Sequence, residues 1–300
     1  MINLKHCFLV LAVTTIESLW AYECGNSNIK RVSDGQDVER MAWPWMTAMY
    51  KLYPLNKNII SNLGQISSIG KYRKVIVVDF SCGGSLINHE WVLTAAHCVV
   101  TEDNLKYRKV ELRFGEHNIS EVNNPYRRSR FVYDNDIIVH PDYDITTISN
   151  DIALLKLDKP LRLDDVDNHL QPICLPPTYG KYANNNCTLT GWGRTKNTEE
   201  SEILQELDVT ILTENQCKSK STTSDYDENL RLCVENDGNR RFAGPGDSGG
   251  PLNCQLASRA WVVEGIASYI SSNETINRKP DVYTKVLPYV HWIKTITGIK

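Results

Sequence analysis

The chain has 300 residues, 41% of them hydrophobic, so it can bury one large core or two smaller ones. Its formal net charge of -3 at pH 7 argues against a general nucleic-acid-binding protein. No stretch reaches the ~18 consecutive apolar residues of a membrane span. We therefore expect a globular protein with no nucleic-acid partner and no membrane span.

The N-terminal residues resemble a secretory signal. Lys5 and His6 precede an apolar run over 7–16, and small residues end near Ala21. We predict a signal peptide over 1–21 and a secreted, extracellular protein, the alternative being a buried N-terminal helix. Of nine cysteines, Cys7 leaves with the signal. The remaining even set favours disulfides over metal ligation, because no CxxC pair is present.

Short β-rich runs separated by Gly, Pro and Asn turns predict antiparallel barrels. The strands are predicted over 43–50, 75–87, 91–94, 110–114, 130–139, 152–157, 187–192, 204–212, 231–234, 251–255, 261–269 and 282–286. Between the two sets, the Pro-rich run 161–177 is interpreted as a connection. Apolar residues at helical spacing over 288–297 predict a closing helix that serves packing.

Three motifs contain the residue types that nucleophilic catalysis needs. Ser248 lies in GDSGGP at 246–251, His97 in TAAHC at 94–98 and Asp151 in NDIALL at 150–155. A serine hydroxyl becomes an effective nucleophile when a histidine takes its proton and a buried carboxylate fixes the histidine tautomer. The glycines around Ser248 permit a turn in which the amides of Gly246 and Ser248 face one oxygen, as an oxyanion hole requires.

These motifs occur in the order His, Asp, Ser, and the chain from about residue 31 onward resembles the chymotrypsin/trypsin family of serine endopeptidases. The resemblance implies an all-β fold of two antiparallel Greek-key β-barrels packed face to face, with a C-terminal α-helix. It implies a protease domain over 32–300, with barrels at about 32–160 and 178–286. It also implies the disulfides Cys24–Cys174, Cys82–Cys98, Cys187–Cys254 and Cys217–Cys233. A lipase of the α/β-hydrolase type is excluded, because that fold needs parallel βαβ units and the order Ser, Asp, His.

The resemblance further implies a zymogen whose activation peptide spans 22–31. Cleavage after Arg31 would free the ammonium of Val32, which would pair with the buried carboxylate of Asp247. A buried charge without its partner costs about 3–5 kcal/mol, enough to disorder the oxyanion hole of the uncut chain. The Cys24 bridge would keep the cut peptide attached. The alternative is that the basic pair ending at Arg31 is merely exposed.

The specificity pocket departs from the family pattern. Its predicted residues are Phe242, Ala243, Ser268, Tyr269, Ile270 and Asp281. Phe242 stands at the floor position where trypsins have an aspartate, so simple trypsin-like recognition of Arg or Lys is not supported. Asp281 stands at a wall position that is commonly glycine, and its carboxylate could attract a basic side chain. Ile270 would narrow the rim.

The resemblance implies hydrolysis of peptide bonds through an acyl-enzyme. The implied partners are protein or peptide substrates, an activating protease and protein inhibitors, and we expect a monomer. The unusual pocket and an insertion at about 54–74 favour limited rather than digestive proteolysis, although the insertion also fits a variable surface loop. The second hypothesis is a catalytically weak homologue that acts as a binding or cofactor protein. The intact triad argues against it.

We expect no cofactor and no metal. In trypsins the loop after Glu116 often binds calcium, but here residues 126–128 are Tyr-Arg-Arg, where a further acid is expected. Calcium needs about six oxygen ligands, so this loop is a poor candidate.

Two asparagines are candidates for N-glycosylation. Asn118 and Asn273 each lie in an Asn-x-Ser/Thr pattern. A third match at Asn186 is doubtful, because its middle residue, Cys187, is implied to be bridged.

Overall fold

The computed structural model describes residues 24–26, 39–54, 76–178, 182–193, 195, 198, 200–220, 227, 229–235, 246–269 and 280–300. Several predicted features lie outside these residues. They are the signal peptide 1–21, the activation site Arg31–Val32, nearly all of the insertion, the pocket residues Phe242, Ala243 and Ile270, and Asn273.

The first seven strands form one antiparallel sheet. They are β1 (Met46–Pro54), β2 (Ile76–Asn88), β3 (Trp91–Thr94), β4 (Lys109–Phe114), β5 (Arg128–Tyr133), β6 (Ile137–Val139) and β7 (Ala153–Lys156). They are ordered β5-β4-β1-β2-β3-β7-β6. In β4 every second residue is buried, the pattern of a strand with one face on the core. The strand predicted over 130–139 is wrong in one respect, because a 3₁₀ turn at Asp134–Asp136 splits it.

The remaining six strands close into a barrel. They are β8 (Tyr182–Gly191), β9 (Gln205–Ile211), β10 (Arg231–Glu235), β11 (Pro251–Leu256), β12 (Trp261–Tyr269) and β13 (Asp281–Lys285). Hydrogen bonds run around the ring in the order β10-β13-β12-β11-β8-β9, and β9 pairs with β10 to complete it. The predicted all-β architecture is confirmed, with the first unit an open seven-stranded sheet and the second a closed barrel.

Two α-helices accompany the strands in the part of the chain that the structure describes. α1 (Glu214–Lys220) was not predicted, and α2 (Val290–Thr297) matches the predicted closing helix. α2 follows a 3₁₀ turn at Leu287–Tyr289 and ends where Gly298 takes a left-handed conformation. Ile293 of α2 is buried, which agrees with a helix that serves packing.

Tryptophans join the two units. The ring centroid of Trp43 lies 5.7 Å from that of Trp45 and 4.9 Å from that of Trp261, which belongs to the second barrel. The fully buried Trp45 donates its indole N–H to the side-chain oxygen of Asn253 on β11, at 2.8 Å. The connecting segment also crosses the boundary, since the Ile173 amide binds the carbonyl of Leu86 on β2. This interface is where the two units bring the sequence motifs together.

Candidate active site

His97 is carried on a 3₁₀ turn, Ala96–Cys98, directly after β3. The two alanines before it are fully buried, so they fix the turn against the core while the imidazole remains part-exposed. The disulfide between Cys98 and Cys82 ties the turn to β2. The imidazole therefore projects from a backbone that is anchored on both sides.

Asp151 holds the imidazole from the other side. Its carboxylate lies 2.8 Å from His97 Nδ1 and also accepts the His97 backbone amide at 2.9 Å. Ser268 donates its hydroxyl to the same carboxylate at 2.5 Å. Nδ1 therefore carries the proton, and Nε2 keeps a lone pair with which to act as a base.

The environment of Asp151 keeps it ionised. Burial alone would raise the pKa of this carboxyl, but the electrostatic interaction with His97 and hydrogen bonds from His97 and Ser268 outweigh burial and lower the pKa. A carboxylate held negative at this place stabilises an imidazolium that forms on His97 during proton transfer.

Ser248 lies in a turn that is bound to both units. The carbonyl of Ser248 accepts a hydrogen bond from the amide of Gly83 on β2 at 2.7 Å. The amide of Gly249 donates to the carbonyl of Ala267 on β12 at 2.8 Å. A Cβ on Gly249 would lie 3.1 Å from Cys98 Sγ, which is itself 3.7 Å from His97 Nε2. The serine turn and the histidine turn are thus neighbours.

The predicted hydrogen bond between the Ser248 hydroxyl and His97 differs from the bond between His97 and Asp151, which the structure contains. Among the residues that the structure describes, no hydrogen bond joins the Ser248 hydroxyl to His97 Nε2. The contact between nucleophile and base stays a prediction.

Gly246 occupies the predicted oxyanion position in a conformation that other residues rarely adopt. Its φ is 96°, and a Cβ there would lie 3.1 Å from the Cα of Gly193 and 3.2 Å from the ring of Phe80. A side chain would therefore disturb the turn in two ways, through strain and through contact.

The carboxylate of Asp247 lies in a cradle made by the Gly191–Gly193 segment. The amide of Gly193 donates to it at 2.9 Å, and a Cβ on Gly193 would come within 2.1 Å of the carboxylate. Glycine is thus required for this approach. Sequence reasoning did not assign these glycines a role, although the Gly-Trp-Gly triplet was visible and could have indicated a close backbone approach.

The described part of the predicted pocket comes from β12 and β13. Ser268 and Tyr269 end β12, and Asp281 begins β13 with its side chain buried. Tyr283 lies two residues further on and so faces the same side of the sheet as Asp281. Burial raises the pKa of Tyr283 well above its ordinary value, and the charges of Asp281 and Asp247 add to the effect. Tyr283 is fully buried and belongs to the hydrophobic core of the barrel.

Comparison with known proteins identifies the family. The Trypsin family model matches residues 63–293. The chain belongs to the trypsin family. This protease is a serine endopeptidase, and its resemblance to the family, predicted from the motifs, is confirmed.

Three relatives illustrate the range of the family. Chymotrypsin-like elastase family member 1 of Felis catus is 33% identical, covering 96% of this chain and 97% of the relative. Clotting factor G beta subunit of Tachypleus tridentatus is 31% identical, covering 90% of this chain and 80% of the relative. Serine proteinase stubble of Drosophila melanogaster is 34% identical, covering 90% of this chain and 32% of the relative.

The four predicted disulfides are present in this trypsin-family chain. The bridge from Cys24 to Cys174 fastens the short N-terminal piece 24–26 to the body. The amide of Gly25 also binds the carbonyl of Pro172, and the Gly25 carbonyl accepts the amide of Trp261. Residues upstream of the expected cleavage point are therefore docked on the second barrel.

The loop that binds calcium in trypsins does not fit a metal in this protease. The guanidinium of Arg127 binds both carboxylate oxygens of Glu116 and also the carbonyls of Glu121 and Val122. Asn124 donates its amide to the same carboxylate at 3.0 Å. The positively charged guanidinium of Arg127 thus occupies the centre of the loop, where a calcium ion would need these oxygens as ligands.

A second cluster of metal-type side chains is also unsuitable. Cys82, His97 and Cys98 lie close together, and no other such group is found in the described part of the chain. Both sulfurs are consumed by their disulfide and cannot serve as thiolate ligands.

Two features bear on the predicted secretion of this protease, a candidate glycosylation site and the length of its helices. Asn118 is part-exposed, and its side-chain oxygen accepts the amide of Ser120 at 2.8 Å, so glycosylation there stays a prediction. None of the helices described is long and apolar enough to span a bilayer.

Proposed function

We propose that this endopeptidase cuts protein substrates with a triad of His97, Asp151 and Ser248. The observation that carries the proposal is the buried network in which the Asp151 carboxylate accepts hydrogen bonds from Nδ1 of His97 and from the hydroxyl of Ser268. That network leaves Nε2 facing the neighbourhood of the serine turn. In the proposed reaction His97 removes the Ser248 proton as the hydroxyl oxygen attacks the peptide carbonyl. The protonated imidazole then donates to the leaving amine, and water repeats the sequence on the acyl-enzyme.

The amides of Gly246 and Ser248 form the proposed oxyanion hole. Each such donor is worth about a hundredfold or more in rate, because it meets the charge that develops only in the transition state. The positive φ of Gly246 supports this role, since it turns the local amides in a way that a strand or helix does not. Support also comes from the cradle of Asp247, which ties the turn to the Gly191–Gly193 segment.

The protease is proposed to be secreted as a zymogen and activated by cleavage after Arg31. The new ammonium of Val32 would pair with Asp247, whose side chain is buried directly beside the nucleophile. The disulfide from Cys24 to Cys174 supports this scheme, because it would retain the activation peptide after the cut.

Limited proteolysis is the proposed biological mode. Asp281, at the predicted pocket wall, is buried, and its carboxylate would favour a basic substrate side chain on electrostatic grounds. One relative is named as a clotting factor subunit, which fits a protease that cuts few targets.

The test uses the full secreted chain, purified before and after cleavage at Arg31. A fluorescent phosphonate probe is expected to label the cleaved protein and not the uncut protein. Mass spectrometry should locate the label on Ser248, and the Ser248→Ala variant should take none. A correctly cleaved wild-type protein that takes no label and cleaves no member of a peptide library would refute the proposed activity. It would instead favour the binding homologue.

A further inference from the structure

The ring of Phe80 packs on the glycine whose amide forms half of the proposed oxyanion hole. A Cβ added to Gly246 would lie 3.2 Å from Cε1 of the Phe80 ring and 3.2 Å from the carbonyl oxygen of Trp192. Gly246 is therefore in contact with the ring and with the Trp192 backbone, and it is buried. Glycine adopts positive and negative φ about equally readily, so surrounding contacts have to impose the φ of 96°.

A bulge in β2 directs the Phe80 side chain. Cys82 pairs with Met49 of β1. Phe80 pairs with the next residue, Tyr50, so Ser81 is the extra residue of the bulge. Neighbouring residues of β1 point to opposite faces of the sheet, and Phe80 therefore shares a face with Tyr50 and not with Cys82. In a regular strand residues 80 and 82 would share one face, so the bulge turns the Phe80 ring to the other side.

Two aromatic side chains support the Phe80 ring. The centroid of the Phe80 ring lies 5.7 Å from that of Tyr50 and 6.0 Å from that of Trp192, each in edge-to-face geometry. Both supporting side chains are buried, and the indole N–H of Trp192 donates to the carbonyl of His117 at 3.2 Å. The Phe80 ring is part-exposed, yet it packs against neighbours that are themselves fixed.

The same strand contacts the serine turn at a second point. Gly83, three residues after Phe80, donates its amide to the carbonyl of Ser248 at 2.7 Å. A Cβ added to Gly83 would lie 3.0 Å from the Cα of Gly250. β2 thus supports both residues whose amides form the proposed hole, Gly246 through a ring and Ser248 through a hydrogen bond.

We propose that Phe80 is a positioning residue for the oxyanion hole. Its ring closes one side of Gly246 and so keeps the Gly246 amide directed at the oxygen on which negative charge develops. Without the ring, the glycine gains room to rotate and the amide turns away from that oxygen. The loss then falls on the transition state and not on the binding of substrate. This inference rests on the proposed function, because it assigns a support to the hole that the proposed function contains.

The test is the Phe80→Ala variant of the full chain, cleaved at Arg31. The substrate is a peptide p-nitroanilide whose sequence comes from the wild-type cleavage library. Loss of one oxyanion donor lowers kcat about 10²–10³-fold, and a donor that is only misdirected should cost less. We therefore expect kcat to fall at least about tenfold while KM changes by less than about threefold. Phe80→Leu keeps a bulky side chain and should show a smaller loss of kcat in the same direction.

A peptide aldehyde of the same sequence separates a role in the hole from a general disturbance of the site. The Ser248 oxygen adds to the aldehyde carbon, and the carbonyl oxygen becomes a hemiacetal oxygen that lies in the hole and takes up the serine proton. The corresponding peptide alcohol binds without this bond. In Phe80→Ala, Ki for the aldehyde should rise at least about tenfold and Ki for the alcohol should change by less than about threefold. The aldehyde has no group beyond the reacting carbon, so a contact of the ring with the leaving group cannot produce this difference.

The matched control is Phe131→Ala, at a part-exposed phenylalanine of β5 whose ring centroid lies 3.6 Å from the Lys109 ammonium. This variant should keep kcat and both Ki values within about threefold of the wild type. An unchanged kcat in Phe80→Ala, or equal losses for the aldehyde and the alcohol, would overturn the role of Phe80. If Phe80→Ala does not fold, the same comparisons on Phe80→Leu decide.

Phosphonate labelling distinguishes a failure of this inference from a failure of the proposed function. A wild-type protein that takes label on Ser248 supports the proposed function, whatever the Phe80 variants do. A cleaved wild-type protein that takes no label would overturn the proposed function and the role of Phe80 with it.

Discussion

Replacing Arg127 with methionine should destabilise the protease strongly, because it strands a buried negative charge. The carboxylate of Glu116 has no solvent-exposed surface, and the guanidinium of Arg127 is bonded to both of its oxygens. Methionine keeps much of the volume of the arginine stem but supplies no charge and no donor. Among the described residues, the carboxylate would then keep one donor, the side-chain amide of Asn124, and would face the carbonyls of Glu121 and Val122.

The expected magnitude follows from the burial of this pair. Removing one partner of a buried ion pair costs about 3–5 kcal/mol. For a chain of this size each kcal/mol lowers Tm by about 2–4 °C, so Arg127→Met should melt roughly 10 °C below the wild type. By contrast, Arg40 and Glu121 form an exposed pair at 2.7 Å, and Arg40→Met should cost less than about 1 kcal/mol.

Thermal unfolding followed by tryptophan fluorescence measures these differences. The double variant Glu116→Gln with Arg127→Met should recover more than half of the loss, because neither charge then remains buried alone. Millimolar calcium should raise the Tm of Arg127→Met and leave the wild type unchanged, since the vacated oxygens suit a hard cation. A single variant that melts within about 2 °C of the wild type would refute the reasoning.

Three further outcomes are expected. Burial acts to raise the pKa of Asp167, but hydrogen bonds from a backbone amide and from the Arg128 guanidinium outweigh it and lower the pKa. The stabilisation that the ionised Asp167 carboxylate provides is fully present above its ordinary pKa of ~3.9 and is lost as the pH falls through the lower pKa of the folded protein. In urea unfolding, the free energy of unfolding of Asp167→Asn should therefore fall less steeply than that of the wild type as the pH is lowered through this range. Gly193→Ala would push the buried Asp247 carboxylate aside, so kcat should fall at least about tenfold in substrate kinetics, and Tm should fall as well because the added Cβ overpacks a buried site. Trp45→Phe leaves a buried amide oxygen without its donor and should cost about 1–3 kcal/mol in urea unfolding.

Features that depend on short local patterns could be predicted from the sequence. The motifs around His97 and Asp151 indicated two side chains that must meet, and the structure brings them within 2.8 Å. The strand boundaries of the second unit were predicted to within one residue, except that β8 begins five residues before the predicted start at 187. The break at Asp134–Asp136 was missed, since three polar residues can equally lie on the exposed face of a continuous strand.

Features that depend on distant charged side chains could not be predicted. Arg231 reaches Thr147, 84 positions earlier in the chain, and no periodicity encodes that contact. The sequence around Arg127 argued against calcium, but it did not indicate that the arginine itself would occupy the loop centre. Long side chains can reach several partners, and only the assembled backbone selects among them.

The proposed site is built across the boundary between the two units, so the alignment of its residues depends on the relative position of the units. His97 and Asp151 come from the first sheet, whereas Ser248 and Ser268 come from the second barrel. Hydrogen bonds among the described residues fix them across the boundary, including the Gly83 amide on the Ser248 carbonyl, the Ser268 hydroxyl on Asp151, and the Thr284 hydroxyl on the Asp151 carbonyl. A displacement of about 1 Å at a reacting group can cost a hundredfold in rate. Substitutions that remove one of these hydrogen bonds should therefore lower kcat by more than the loss of a single hydrogen bond lowers Tm.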